Sequence, residues 1–99
     1  MPKRIIWSPD AEKDLGLILE YLSNEWAPSV SAKFLDLMQV VVEQVSINPR
    51  QFPLIHVKLN IRKCVLTKHN ALYYRNKRSH VELLRIYDNR QDPDKLKFN

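Results

Sequence analysis

The segment that most constrains the fold of this chain runs from Val81 to Pro93 and reads Val-Glu-Leu-Leu-Arg-Ile-Tyr-Asp-Asn-Arg-Gln-Asp-Pro. Its first seven residues are typical of a β-strand, and a polar turn that carries Arg90 follows them. Strict alternation assigns the strand side chains to two faces, Leu84 and Ile86 to one and Val81, Leu83, Arg85 and Tyr87 to the other. Pro93 lacks the N–H that a sheet ladder needs and closes the strand. The pattern predicts a central strand with basic side chains at one end.

Length and composition indicate a single ordinary globular domain over residues 1–99. The chain has 99 residues, of which 44% are hydrophobic and 27% charged, so it can bury one modest core and is too short for two. It contains a single glycine, Gly16. This excludes glycine-rich phosphate loops and dinucleotide-binding fingerprints.

Cysteine and histidine usage predicts neither a disulfide nor a metal site. Cys64 is the single cysteine, and it shows no ligand spacing with His56, His69 or His80. We therefore expect no metal and no cofactor. No apolar run approaches the roughly 20 residues needed to span a bilayer, and the N-terminus lacks the apolar core of a signal peptide. These features predict a cytoplasmic protein without membrane contact.

Charge is distributed unevenly along the chain. Residues 1–57 hold 5 Lys/Arg against 7 Asp/Glu, whereas residues 58–99 hold 11 against 4. The second part is therefore strongly basic: its net charge of +7 and the −2 of the first part give the total of +5. Such asymmetry suggests a polyanionic or acidic partner for the second part, although a merely well-solvated surface would show the same composition.

The N-terminal half predicts a strand and two helices. Arg4–Ser8 is a short apolar strand, and Ser8 then caps a helix with Pro9 at its first position. Apolar residues recur at helical spacing as far as Trp26, where Pro28 ends the first helix. The second helix extends from Pro28 or Ser29 to Asn48, where Pro49 stops it. Its apolar stripe comprises Phe34, Leu37, Met38, Val41, Val42 and Val45; that of the first comprises Ala11, Leu15, Ile18, Leu19, Leu22 and Trp26.

The C-terminal half predicts an antiparallel meander of three strands, residues 62–67, 71–75 and 81–87, joined by short polar loops. Residues 49–57 form a proline-rich connection with Phe52 and Leu54 tucked beneath it. The predicted order is β-α-α-β-β-β. This is an α+β fold in which a helical hairpin packs on one face of a small antiparallel sheet.

Several segments together resemble one known family across residues 4–98. They are the Ser-Pro-Asp-Ala-Glu-Lys-Asp-Leu opening of the first helix, Asn48-Pro49, Arg62, Leu72-Tyr-Tyr-Arg75, and Leu84-Arg-Ile-Tyr-Asp-Asn-Arg-Gln-Asp-Pro93. In this order they resemble the RelE/ParE toxins of bacterial type II toxin–antitoxin systems. The resemblance implies the fold predicted above. It also implies a cognate antitoxin as partner, with which the chain could form a hetero-oligomer.

The family contains two activities, and the resemblance leaves both open. RelE-like members are ribosome-dependent messenger RNA endonucleases, whereas ParE-like members are described as inhibitors of DNA gyrase. RNA cleavage requires a proton acceptor, a proton donor and cations that stabilise the phosphorane. If this chain were a ribonuclease, Arg62 and Arg90 would match the family arginines, and Tyr87 or Tyr73 would have to replace the missing acid or base.

The C-terminal end departs from the RelE-like pattern. RelE-like ribonucleases carry a Tyr or His there, and this chain has Phe98, which can stack on a base and cannot transfer a proton. The sequence therefore favours a ParE-like, non-enzymatic toxin without confident catalytic residues. Candidate contacts to the target or to nucleic acid are Lys58, Arg62, Lys68, Arg85, Arg90 and Phe98.

Two structural alternatives accompany these assignments. Arg62 and Arg85 could pair with Asp88 or Glu82 on the sheet surface, in which case they would contribute little to binding. Tyr73 and Tyr74 are neighbours on one strand and face opposite sides of it. We therefore expect one of them in the core and at most one exposed for stacking.

Overall fold

A computed structural model describes residues 2–98 of the chain. Its elements are β1 (Arg4–Trp7), α1 (Pro9–Glu25), α2 (Pro28–Ile47), β2 (Leu54–His56), β3 (Ile61–Val65), β4 (Asn70–Asn76), β5 (His80–Asp88) and a short 3₁₀ helix (Pro93–Lys95). The predicted α+β class, both helices and the three-strand meander are confirmed. Strand β2, which lies in the segment predicted as a connection, is an addition.

The five strands form one mixed sheet in the order β1-β5-β4-β3-β2. Strands β2 to β5 pair antiparallel with their neighbours, whereas β1 pairs parallel with β5, with Arg4 opposite His80 and Trp7 opposite Leu83. The parallel pair arises because the chain leaves β1 through two helices and re-enters the sheet at its far edge. Strand β5 is an inner strand with a neighbour on each side, and β4 occupies the centre.

Ser8 joins the sheet to α1. Its hydroxyl oxygen accepts a hydrogen bond from the N–H of Ala11 at 3.0 Å, which is the predicted N-cap. The same hydroxyl donates to the carbonyl of Leu84 at 2.9 Å, and the N–H of Ser8 donates to the carbonyl of Leu83 at 3.0 Å. One residue therefore starts the helix and fixes it to β5.

The main core lies between the helical hairpin and one face of the sheet. The helices contribute Ala11, Phe34, Met38, Val41 and Val45, and the sheet contributes Cys64, Leu72, Tyr74, Val81, Leu83 and Ile86, all buried. Leu19 is half-buried at the edge of this core. The predicted stripe of α2 supplies four buried residues, whereas that of α1 has a single fully buried residue, Ala11.

A second, smaller core lies on the opposite face of the sheet, and the sequence did not predict it. It contains Ile61, Ala71, Tyr73, Leu84 and Tyr87, and the C-terminal residues Leu96 and Phe98 pack against it. Because this segment covers the face, both Tyr73 and Tyr74 are buried. The two tyrosines do face opposite sides of the sheet, as predicted, and neither is exposed for stacking. Leu54, expected beneath the connection, is also 40% exposed because it lies on the edge strand β2.

A β-bulge in β5 overturns the predicted alternation of its side chains. Tyr73 pairs with Arg85 and the next residue, Tyr74, pairs with Leu83, so Leu84 is the extra residue. Beyond it the facing changes, and Leu84 and Tyr87 point to the second core while Leu83 and Ile86 point to the helices. An uninterrupted alternation would have placed Leu84 with Ile86.

No helix among residues 2–98 is long and apolar enough to cross a membrane. Within the same residues, no group of three or more His, Cys, Asp or Glu side chains is arranged to hold a metal ion.

Candidate functional site

A large concave surface lies between the helical hairpin and the C-terminal end of β5, and we call it the helix–strand groove. It is open to solvent and has a volume of about 1320 Å³. Helix α1 lines one side and the start of α2 continues it. The remaining lining comes from the β3–β4 loop, the end of β5 and the C-terminal segment, through residues that include His69, Arg85, Asp88, Arg90 and Lys97.

The floor and rim of the helix–strand groove carry exposed apolar side chains. Leu17, Tyr21 and Trp26 of α1 all line it, and they are 55%, 50% and 68% exposed. Several large apolar side chains exposed along one groove are typical of a surface that another molecule covers. Trp26 was predicted to belong to the core stripe, and its exposure corrects that assignment. Its position at the C-cap of α1 takes it past the end of the packed helix.

Asp14 and Arg85, which both line the groove, form an ion pair with two hydrogen bonds. Arg85 Nε and one terminal nitrogen donate to the two carboxylate oxygens of Asp14 at 2.7 and 3.1 Å. Asp14 also accepts the backbone N–H of Ile86 at 3.0 Å, a donor that β1 does not reach because it ends opposite Leu83. The hydrogen bond to Asp14 raises the pKa of Arg85 above its ordinary value.

The ion pair with Asp14 occupies the side chain of Arg85, which the sequence predicted as a contact to the target or to nucleic acid. The side chains of Arg85 and Asp14 are only 18% and 13% exposed, and Arg85 also donates to the carbonyl of Lys97 at 3.2 Å. Arg85 thus connects α1, β5 and the C-terminal segment. Arg85 does form an ion pair, as the structural alternative expected, but its partner is Asp14 of α1 and not Glu82 or Asp88.

Arg90 is held by its neighbour two residues earlier. Its side chain donates to the carboxylate of Asp88 at 2.6 and 3.0 Å, and its backbone N–H donates to the same carboxylate at 2.9 Å. The hydrogen bonds to Arg90 hold the pKa of Asp88 below its ordinary value, and the same contact raises the pKa of Arg90. The positive charge of Arg90 is therefore largely neutralised in a closed local turn.

We expect an Asp88→Asn variant to be slightly less stable than wild type at neutral pH and to lose this difference in acid. Because the folded pKa of Asp88 lies below the unfolded one, its stabilisation is present above the unfolded value and is lost as pH falls through the folded value. The pair is exposed, so its contribution to the free energy of unfolding is small. Urea unfolding at pH 7 and pH 3 measures it, and the difference between the variant and wild type should be smaller at pH 3 than at pH 7. A larger loss at pH 3 would contradict the sign.

Arg62 serves the local structure of the connection before β2. One terminal nitrogen donates to the carbonyls of Phe52 and Arg50 at 2.8 and 3.2 Å, and its Nε is buried without a hydrogen-bond partner among residues 2–98. Arg62 lies on the helix side of the sheet and pairs directly with Tyr74 of the neighbouring strand β4. Tyr74 donates to the carbonyl of Pro49 at 2.7 Å, and burial raises its pKa to about 12.

The aromatic candidates lie in the second core. Tyr87 is buried, donates its hydroxyl to the carbonyl of Asp92 at 2.5 Å, and has a pKa raised by desolvation. Tyr73 is covered by Phe98, with ring centroids 5.4 Å apart, and Lys63 lies 5.9 Å from its ring. Phe98 thus packs within the protein, where it shields Tyr73 from solvent.

The residues proposed for ribonuclease chemistry do not converge in the structure. Arg62 pairs with Tyr74 in the sheet, whereas Arg90 follows Asp88, which pairs with Asn70. Tyr74 and Asn70 are four residues apart on β4, about 13 Å along a strand. Tyr87 lies on the opposite face of the sheet from Arg62. Lys58 and Lys68 are exposed in two different loops.

Sequence reasoning missed the groove residues Asp14, Leu17 and Tyr21. A signal was present, since Leu17 and Tyr21 are apolar residues outside the core stripe of α1. Asp14 carried no such signal. Its role depends on a bulge in β5, 72 residues away along the chain.

The structure thus consists of a helical hairpin over a five-stranded mixed sheet, with a groove beside the last strand. The family model described as "ParE toxin of type II toxin-antitoxin system, parDE" matches residues 5–93 of the chain. The chain therefore belongs to the ParE toxin family. This confirms the family resemblance seen in the sequence.

A solved structure has the same fold. The chain is similar to a structure described as "Chromosomal ParDE TA system from P. aeruginosa", with a TM-score of 0.74 and 18% sequence identity. The match covers 87% of this chain and 95% of the other. At this identity the likeness concerns the fold alone. No curated protein matches the sequence significantly.

Proposed function

We propose that this protein is a ParE-type toxin that inhibits DNA gyrase by binding it in the cytoplasm and that a cognate antitoxin neutralises it. Membership of the ParE family supports the assignment, since ParE-like toxins are described as gyrase inhibitors. The main observation in favour of a non-enzymatic toxin is that the three candidate catalytic side chains already form hydrogen bonds within the protein. Arg62, Arg90 and Tyr87 each bond within the protein and lie at separate places.

RNA cleavage would need several of these groups around one phosphate. A general acid or base must reach its proton within about 3 Å, and stabilising donors must surround the same phosphorus. A buried tyrosine with a raised pKa on one face and an arginine held by carbonyls on the other do not supply that arrangement. The messenger RNA endonuclease remains the competing hypothesis that the experiment below distinguishes.

The helix–strand groove is the surface that we assign to the antitoxin. Its apolar side chains Leu17, Tyr21 and Trp26 suit the apolar face of an amphipathic segment. Around them the charges left after the two internal ion pairs are Lys13, Lys33 and Lys97 against Asp10. This surplus favours a segment that carries acidic residues beside its apolar face.

The proposal is tested by following supercoiling and transcripts with the same protein. Purified gyrase is given relaxed plasmid and increasing toxin, and we expect supercoiling to be lost and then restored when the antitoxin is added. In cells that express the toxin, primer extension on messenger RNA should show intact transcripts. Full supercoiling together with discrete in-frame cuts, absent in an Arg62→Ala variant, would replace this proposal with the endonuclease.

A further inference from the structure

The net charge of the protein is concentrated at one end of the sheet, where β1 begins and the β4–β5 turn lies. Three chain segments meet there: residues 2–4, residues 56–60 and residues 75–82. We call this surface the basic end. Its cations are Lys3, Arg4, Lys58, Arg75, Lys77 and Arg78.

Hydrogen bonds hold the three segments together. Lys3 Nζ donates to the side chain of Asn76 at 2.8 Å and to the carbonyl of Lys77 at 2.6 Å. From the other side, the Asn60 amide donates to the carbonyl of Asn76 at 2.8 Å, and Arg75 Nε donates to the carbonyl of Leu59 at 2.7 Å. The basic end is thus a fixed arrangement, although its members are far apart in sequence.

The basic end accounts for the whole net charge of the chain. Its segments hold six Lys/Arg and a single acid, Glu82, which gives +5, and the chain total is also +5. The remaining residues hold 10 Lys/Arg and 10 Asp/Glu and are therefore neutral. Glu82 is shared between Arg75 at 3.3 Å and Lys77 at 3.7 Å. Arg4, Lys58 and Arg78 are exposed and form no ion pair within residues 2–98.

We propose that the basic end is an electrostatic binding site for the phosphate backbone of double-stranded nucleic acid. Cations presented by separate turns match a linear array of phosphates, which needs no base-specific contact. The three segments contain no Phe, Trp or Tyr, so nothing there stacks on unpaired bases as a single-strand site requires. The site is separate from Arg85 and Arg90, whose charges are neutralised by Asp14 and Asp88.

A protein partner is the competing occupant. Val57 lies among these cations and is 79% exposed, which would suit an acidic polypeptide with an apolar contact. The spread of six cations over the N-terminal segment and two turns favours the phosphate backbone. The inference does not depend on gyrase, because the experiment needs only this protein and the anion.

The test measures binding to a fluorescent 20-base-pair DNA duplex of arbitrary sequence as salt is varied. Because each phosphate contact contributes about −0.9 to the slope of log Kobs against log salt, four exposed cations predict a slope of about −3 to −4. The variant Lys58→Gln/Lys77→Gln/Arg78→Gln removes three of them. Its slope should be shallower by about 2 to 3, with an affinity loss of at least about tenfold at low salt.

The matched control, Lys13→Gln/Lys33→Gln/Lys95→Gln, removes three exposed cations outside the basic end. It has the same net charge as the test variant and should retain the wild-type slope. Equal losses in both triple variants would show attraction by overall charge and overturn the site. Binding of polyglutamate of matched charge as tight as that of the duplex would overturn the ligand class. Absence of salt-dependent duplex binding by wild type would overturn the inference altogether.

Discussion

Replacing Asp14 by asparagine is expected to lower the free energy of unfolding by about 2–4 kcal/mol, which is large for a single polar substitution. The carboxylate accepts two hydrogen bonds from Arg85 and one from the N–H of Ile86. The asparagine amide cannot accept all three. It would leave a guanidinium that is 18% exposed without its counter-charge, together with an unpaired N–H beside the bulge. Solvent reaches part of the pair, so the loss stays below that of a fully buried charge.

Urea unfolding at neutral pH measures this change. The control is Asp36→Asn, the same substitution on the exposed surface of α2, where residues 2–98 provide no ion-pair partner, and it should remain within about 0.5 kcal/mol of wild type. A double variant, Asp14→Asn/Arg85→Met, should recover part of the loss because it removes the unpaired charge. If Asp14→Asn unfolded at the wild-type urea concentration, the ion pair would not hold α1 to β5.

Replacing Leu17 by aspartate is expected to weaken binding of the cognate antitoxin by about 100-fold. Truncation of a central apolar contact costs about 2 kcal/mol or more at an interface, and a buried charge adds to the loss. Leu17 lies in the helix–strand groove beside Tyr21, and it is 55% exposed in the unbound chain. The substitution should therefore leave the stability of the free toxin nearly unchanged.

Isothermal titration with the purified antitoxin measures the affinity. The control Val40→Asp places the same charge on α2 at a site that is 53% exposed and does not line the groove. It should bind like wild type. Should Val40→Asp lose affinity while Leu17→Asp retains it, the antitoxin would occupy a different face. This result would leave gyrase inhibition by the free toxin untouched, so the two parts of the proposed function can fail separately.

Local signals predicted most of the backbone. Ser8 followed by Pro9 starts α1, Asn48-Pro49 stops α2, and polar loops separate three strand-like runs. Capping and proline restrictions act within a few residues, so a single sequence displays them directly. Strand β2 was hidden because its three residues are all exposed and interrupted by a register shift, which leaves no alternating pattern.

The site was less predictable than the fold. The sequence displayed the arginines and their charges, and it did not display their partners. Arg85 meets Asp14 across 71 residues, and Arg62 meets carbonyls of the connection before β2. The basic end combines the N-terminus with two turns from the second half. A count by halves had placed the excess charge over all of residues 58–99.

What the sequence by itself determined is the order of the helices and the meander strands, the apolar stripe of α2 and the family, because each depends on short-range periodicity or on a series of local motifs. Only the tertiary structure decided which face each side chain of β5 occupies and which charges remain free. The extra residue Leu84 turns Tyr87 to the opposite face of the sheet, and the N–H of Ile86 donates to Asp14. The bulge and the ion pair depend on residues that are distant in sequence. They are stabilised only when the complete tertiary structure brings these residues into contact.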